Sequence, residues 1–213
     1  GGLISSTAVV INFSELSKKT KKIIHPFVIG ILLAYVAKLI RVLLEISFIN
    51  PEIFPLIIVP FSLMGITAVL LSVFFWFRSR TDTTTSYSDK DLALKSPLQL
   101  GTAIKFSLLL TGLLFVTAYV SKYYGSGGIY ITSFVTGLMD VDAITVSMGN
   151  LSLRGEVTAI TATTAISIAV MTNTITKGFI VFFFASRPVA LRIISSVFLI
   201  VGVGVITLIV YNP

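Results

Sequence analysis

Long apolar runs decide what this chain can fold into. The clearest is PFVIGILLAYVAKLIRVLLEISF at 26–48, and comparable runs cover 54–77, 98–120, 157–184 and 189–211. About 20 helical residues span a hydrocarbon core of about 30 Å, so each run can cross a bilayer. Composition agrees: 55% of residues are hydrophobic and 12% charged, where a soluble domain carries about 25% charged residues. Such a chain cannot cover a water-facing globule with polar surface. The expected fold is therefore all-α, a polytopic transmembrane helix bundle of about six or seven membrane segments.

The spaces between runs give the organisation. An apolar segment at 2–13 is too short to span alone, and SELSKKTKK after it reads as a solvated basic loop. INPEIFP is a turn, and SRTDTTTSYSDKDLALKSP is an exposed polar loop. We divide the single domain, 1–213, into a first repeat at 1–78, an exposed loop at 79–97 and a second repeat at 98–213. The opening Gly1-Gly2-Leu3 carries no Met and no signal-peptide pattern, so an earlier part of the chain is expected to be missing.

Charge gives orientation. The chain carries a net +7, but its cations stand at the ends of apolar runs without interleaved aromatics, which argues against nucleic acid. Lys18, Lys19, Lys21 and Lys22 follow the first segment, and Arg78, Arg80, Lys90 and Lys95 follow the third. The turn between segments two and three holds neither Lys nor Arg. The positive-inside rule then puts loops 14–25 and 78–97 in the cytoplasm of a multi-pass plasma-membrane protein. Arg154, Arg187 and Arg192 follow from segment five, 129–148. If it spans, Arg154 is inside and the other two are outside; if it re-enters, the assignment reverses.

The sequence has no cysteine, which removes disulfides and thiolate chemistry. Its one histidine, His25, reads as a loop residue. A metal is neither indicated nor excluded, and no cofactor is expected. No His pair, HExxH motif or Ser/Lys dyad stands in recognisable context, so an enzyme is not expected.

Within segment five, VTGLMDVDAITVSMGN carries Asp140 and Asp142. A carboxylate at a helix centre in lipid costs about 2.5–3.5 kcal/mol, so both must face protein or water and need partners. In a regular helix, i and i+2 point about 200° apart. A broken segment lets them serve one site, and Gly137 makes a break or a re-entrant turn credible. Such breaks expose backbone groups that hold ions in transporters.

The intramembrane counter-charges are Lys38, Arg41, Lys105 and Lys177, with Glu45 a further anion. Lys38, Arg41 and Glu45 share one stripe at spacings of three and four. Asn173 stands one helical turn before Lys177 and puts a carboxamide and an ammonium on the same face. Packing explains most of the neighbouring threonines, but it explains Lys177 poorly.

The segment around these aspartates also has an echo. GLISSTAVVINFSELS from Gly2 aligns with GLMDVDAITVSMGNLS from Gly137, with Ser5 and Thr7 standing where Asp140 and Asp142 do. At the same offset, Arg41 falls within one residue of Lys177. Interrupted segments in matching positions mark repeat-built transporters.

GGLISSTAVV, SPLQLGTAIKFSLLL, GSGGIYITSFVTGLMDVDAITVSMGNLS and AVMTNTITKG together resemble an uncharacterised membrane family, domain of unknown function 4010. The resemblance covers nearly the whole chain. Members are often joined to an MgtC/SapB-type domain on the N-terminal side, and no such part precedes Gly1 here. Carried over, the family's distinctive polar positions fall on Asp140, Asp142, Asn173 and Lys177, with Ser5, Ser6 and Thr7 in the first half. Tyr35 stands where the family pattern implies Asn. The resemblance implies an architecture and leaves activity open; the MgtC association hints at ion homeostasis only by analogy.

Two functions fit. One is a transporter-like or channel-like protein moving an ion or small charged solute through a mid-membrane site. Asp140, Asp142, Asn173, Lys177, Ser5 and Thr7 would form that site, with Lys38, Arg41 and Glu45 as the surrounding charges. The other is a non-transporting membrane subunit that binds or regulates a larger complex. The expected partners are the lipid bilayer and a homo-oligomer or larger membrane assembly.

Overall fold

The computed structural model describes residues 6–20, 24–79 and 127–211. The expected segment at 98–120 with Lys105, nearly all of the polar loop at 79–97, and Ser5 lie outside the described residues. Seven helices are described: α1 (Ser6–Lys19), α2 (His25–Ile49), α3 (Phe54–Ser79), α4 (Gly127–Met139), α5 (Asp142–Leu153), α6 (Ala159–Phe184) and α7 (Arg187–Tyr211). Of these, α2, α3, α6 and α7 are long and apolar enough to cross a membrane. The all-helical membrane architecture expected from the sequence is what the chain adopts.

The long helices follow their apolar runs within two residues, because local signals end them. Pro26 occupies the first turn of α2, where its missing N–H costs nothing. Thr158 caps α6, its Oγ1 accepting from the Thr161 N–H at 3.2 Å, the usual task of a Thr at that position. After α5, Gly155 takes φ 73°. Its N–H bonds the Ser152 carbonyl and the Glu156 N–H bonds the Leu151 carbonyl, each at 3.0 Å. This is the left-handed glycine ending of a helix.

Two expectations are corrected, for the first segment and for His25, and the break expected in segment five is found. The first apolar segment does not stop at Phe13. Its helix continues through SELSKK to Lys19, because no Gly or Pro interrupts it and Lys18 and Lys19 suit a helix C-terminus. Segment five is interrupted: α4 ends at Met139, α5 begins at Asp142, and Asp140 and Val141 stand between them outside any helix. His25 is not in a loop. It is the first residue of α2 and buried, with its ring 6.3 Å from that of Phe75.

Packing sets the helix directions. α2 lies against α1, α3 and α5, α6 lies against α1, α5 and α7, and α3 packs on α7. The last turn of α1 meets the last turn of α6: Lys18 Nζ donates to the Phe183 carbonyl at 2.8 Å, and the Ser186 N–H donates to Ser17 Oγ at 2.9 Å. Further back, Lys177 reaches Ser6 at the start of α1. So α1 and α6 run the same way. In the other half, Lys38 reaches the start of α5, and Asn50 Nδ2, just past α2, donates to the Gly149 carbonyl at 3.1 Å. So α5 and α2 also run the same way. Both short helices begin deep in the bundle.

The surface is apolar and the interior carries the polar groups. Leu70, Phe74, Trp76 and Phe77 on α3 and Phe198, Ile206, Ile209 and Val210 on α7 are exposed. A water-facing monomer does not display apolar patches of this extent, and such faces suit a lipid bilayer. Inside, Ser14, Ser72, Thr132, Ser133, Thr136, Thr145 and Thr174 donate to the carbonyl four residues back in their own helices. Without water, that is the nearest way to satisfy a hydroxyl.

Candidate functional site

The α4–α5 break meets the middle of α2. Lys38 is the fourteenth of 25 residues in that helix. Its ammonium donates to Asp140 Oδ1 at 2.7 Å and also to Asp142 Oδ1. One turn on, Arg41 Nη2 pairs with Asp142 Oδ2 at 2.8 Å, while Arg41 Nε donates to Glu45 Oε1 at 3.0 Å. Five side chains thus form one chain of charge, from Asp140 through Lys38, Asp142 and Arg41 to Glu45.

The break makes this possible. A continuous helix would aim Asp140 and Asp142 at opposite faces, yet both reach one ammonium. Val141 itself stays in the right-handed region, φ −104° and ψ −24°, so extended backbone at Val141 does not make the turn. Asp140 Oδ1 also accepts the Val141 N–H at 2.7 Å. Beyond the break, the helical pattern resumes at once, with the Thr145 N–H on the Val141 carbonyl.

Glycine and asparagine seat the broken segment on α6. A Cβ on Gly137 would stand 2.5 Å from the Ala169 carbonyl oxygen and 2.9 Å from Thr172 Cβ. Only glycine allows that approach. It brings the Gly137 carbonyl within 3.0 Å of Asn173 Nδ2, so Asn173 is a strut for the break. Lys177, one turn on, is 2% exposed and donates to Ser6 Oγ at 2.7 Å.

The expected site residues therefore separate. Asp140 and Asp142 join Lys38, Arg41 and Glu45. Asn173 supports the break through backbone. Lys177 is not the aspartates' partner in an ion pair: among the described residues no carboxylate lies within 4.0 Å of it. Thr7 lies in the first turn of α1 and is half-buried, and Ser5 lies outside the described residues. Ser6, between them, meets Lys177; the echo pointed to its two neighbours because it aligned side chains one residue out of step. Asn50 was missed altogether. It ties α2 to α5 and also accepts the Glu52 N–H at 3.0 Å. An Asn before Pro at the end of an apolar run was its one available signal.

Chemically, the centre offers two cations and three carboxylates well inside a bilayer-sized bundle. Asp140 keeps 26% of its side chain exposed and Arg41 38%, whereas Lys38 keeps 10%. The network is open to its surroundings at Asp140 and Arg41 and closed at the Lys38 ammonium. Tyr35, one turn before Lys38, is buried with no hydrogen-bond partner for its hydroxyl among the described residues.

Comparison with known proteins places the chain. The sequence profile of the family described as domain of unknown function (DUF4010) matches residues 1–185. A protein of Aquifex aeolicus (strain VF5), described as uncharacterized, is 32% identical over 191 residues, covering 88% of this chain and 80% of that one. No solved structure matches. With a profile match over most of its length and a relative of this identity, the chain belongs to the DUF4010 family.

Proposed function

We propose that the protein is a transporter-like or channel-like plasma-membrane protein that moves an ion or small charged solute through the centre around Asp140 and Asp142. The observation that carries this reading is the meeting of Lys38, Arg41 and both aspartates at the middle of α2, around a helix break. Ionisable groups at that depth mark solute and proton pathways, and broken helices at the midplane are where secondary transporters bind.

The order and direction of the helices, those of an inverted repeat on this reading, support it. Helices beginning at 6, 25 and 54 are followed by helices beginning at 142, 159 and 187, spacings of 136, 134 and 133 residues. The members of each pair run oppositely. α1 lies along α6 and α5 along α2, so each short helix leans on the long helix of the other repeat. An architecture of this kind can rock one half against the other around a fixed site.

The test is flux in proteoliposomes with a panel of labelled cations, anions and protons. Asp140→Asn with Asp142→Asn should abolish whatever flux the native protein supports while its melting transition in detergent persists. Unchanged flux would discard the proposal.

One observation favours a second reading. Lys38 contacts both aspartates directly, as in a network that pins helices together. On that reading the chain is a non-transporting subunit of a larger membrane complex. Comigration with another protein on a blue-native gel, together with absence of flux, would support it.

A further inference from the structure

Glu45 closes the ion-pair network, and one of its oxygens is left over. Oε1 accepts from Arg41 Nε at 3.0 Å, whereas Oε2 is buried with no hydrogen-bond partner. Among the described residues no other carboxylate oxygen is buried without a donor. Asp142 pairs both of its oxygens, Oδ1 with Lys38 and Oδ2 with Arg41. Asp140 Oδ1 takes both the Lys38 ammonium and the Val141 N–H. An ionised carboxylate spreads its charge over two oxygens, and a buried charged oxygen without a donor is costly. A proton on Oε2 removes that charge.

Charge balance points to the same carboxyl. The network joins three carboxylates through two cations. Lys38 is divided between the two aspartates, and Arg41 is divided between Asp142 and Glu45. Two carboxylates sharing one cation favour a proton on one of them, and Glu45 is the one with the single donor.

The surrounding helices bring nothing that changes this. The charges acting on Glu45 are those of Asp142, Arg41 and Lys38. Lys177 acts on Lys38, Asp140 and Asp142, at the other end of the network. Of the helices packed on α2, α1 and α3 carry Glu15, Lys18, Lys19 and Arg78 to the opposite end of the bundle. α7 carries Arg187 and Arg192 to that same end and Tyr211 to its own last turn. A metal ion in place of the proton would need several oxygen ligands. Among the described residues no group of three or more His, Asp and Glu side chains is placed to hold one.

We infer that Glu45 holds a proton on Oε2 in this conformation and is the group through which the centre exchanges protons with water. Glu45 stands four residues before the end of α2, about 6 Å along the axis, and 20% of its side chain is exposed. On release, the Oε2–H bond breaks, the proton passes to water and the carboxylate keeps the negative charge. That carboxylate then competes with Asp142 for Arg41, so the proton on Glu45 governs how firmly Arg41 holds the broken segment. This deepens the transport reading by naming the proton as the moving ion or co-ion. It rests on that reading for the proton's passage across the membrane and not for its residence on Glu45.

The test is infrared spectroscopy of the purified protein in detergent at neutral pH, where a protonated carboxyl gives a C=O band distinct from that of a carboxylate. The native protein should show this band. Glutamate labelled with carbon-13 at the side-chain carboxyl should shift it. Of the four glutamates, Glu15, Glu52 and Glu156 are exposed and ionised at that pH, so a shifted band belongs to Glu45. Glu45→Gln should abolish the band. Asp142→Asn leaves Arg41 to Glu45 alone and should abolish it too. Absence of the band in the native protein, or a band that labelled glutamate does not shift, overturns the inference even if neither variant folds. A band that survives Glu45→Gln overturns it as well. A glutamate band without flux of any solute would retain this inference and defeat the transport reading. Flux without the band would do the opposite.

Discussion

Lys38 has the most consequential side chain in the described structure. It holds Asp140 and Asp142 together, and removing it leaves Asp140 without an ion-pair partner among the described residues and Asp142 with Arg41 alone. Breaking a buried pair by deleting one partner costs more than the pair itself contributes, because the survivor stays charged and dry. Lys38→Met should therefore destabilise the protein by about 3 kcal/mol, read as a lower melting transition in detergent. Adding Asp140→Asn and Asp142→Asn to that variant should recover much of the loss, since the orphaned charges go too. A triple variant no more stable than Lys38→Met would mean that Lys38 acts by packing. The sequence exposed the charges and their need for partners; it did not choose among Lys38, Arg41 and Lys177. That choice depends on how far apart three helices stand.

At the level of elements, the break and its seat on α6 hold the centre in position. Gly137 allows α4 to touch α6 backbone to backbone. Gly137→Ala would drive a methyl into the Ala169 carbonyl, push the two helices apart and stretch the Asn173 hydrogen bond. A loss of about 1–3 kcal/mol is expected for such overpacking. Gly202, in α7, is the control: a Cβ there meets nothing within 4 Å, and Ala in a helix interior is favoured over Gly by about 0.5–1 kcal/mol. Thermal melting of the two variants should move in opposite directions. The long helices were legible in the sequence to within two residues because hydrophobic length and terminal Pro, Thr and Gly signals act locally. The extension of α1 through SELSKK was not, because a polar, basic sequence is compatible with loop and with helix until a neighbouring helix accepts its Ser17 and Lys18.

For the whole molecule, the arrangement of ends gives a charge asymmetry that local reading left undecided. The ends of α1, α3 and α6 and the start of α7 gather at one end of the bundle, as the contacts Lys18–Phe183, Ser17–Ser186 and His25–Phe75 require. That end carries Lys18, Lys19, Arg78, Arg187 and Arg192, and the opposite end carries Glu52, Arg154 and Glu156. Arg187 and Arg192 thus fall on the side of the first basic loop. The positive-inside rule predicts that this side faces the cytoplasm. Because the chain has no native cysteine, single substitutions can be labelled cleanly. Lys19→Cys and Arg187→Cys should react with an impermeant thiol reagent only from the cytoplasmic side, and Glu52→Cys and Glu156→Cys only from the other. Labelling of Lys19→Cys and Arg187→Cys from opposite sides would break the arrangement.

The amino-acid sequence by itself determined the solvent, the helices and the demand for buried partners. Each of these follows from the hydrophobicity of about 20 consecutive residues or from the cost of a charge in hydrocarbon. Only the tertiary structure decided which cation meets which carboxylate, that Ser6 and not its neighbours meets Lys177, and which arginines share a side with the lysines. Those outcomes depend on the direction and separation of helices far apart in the chain. A shift of one residue, about 100° around a helix, exchanges one partner for another without changing the apolar pattern that a sequence displays.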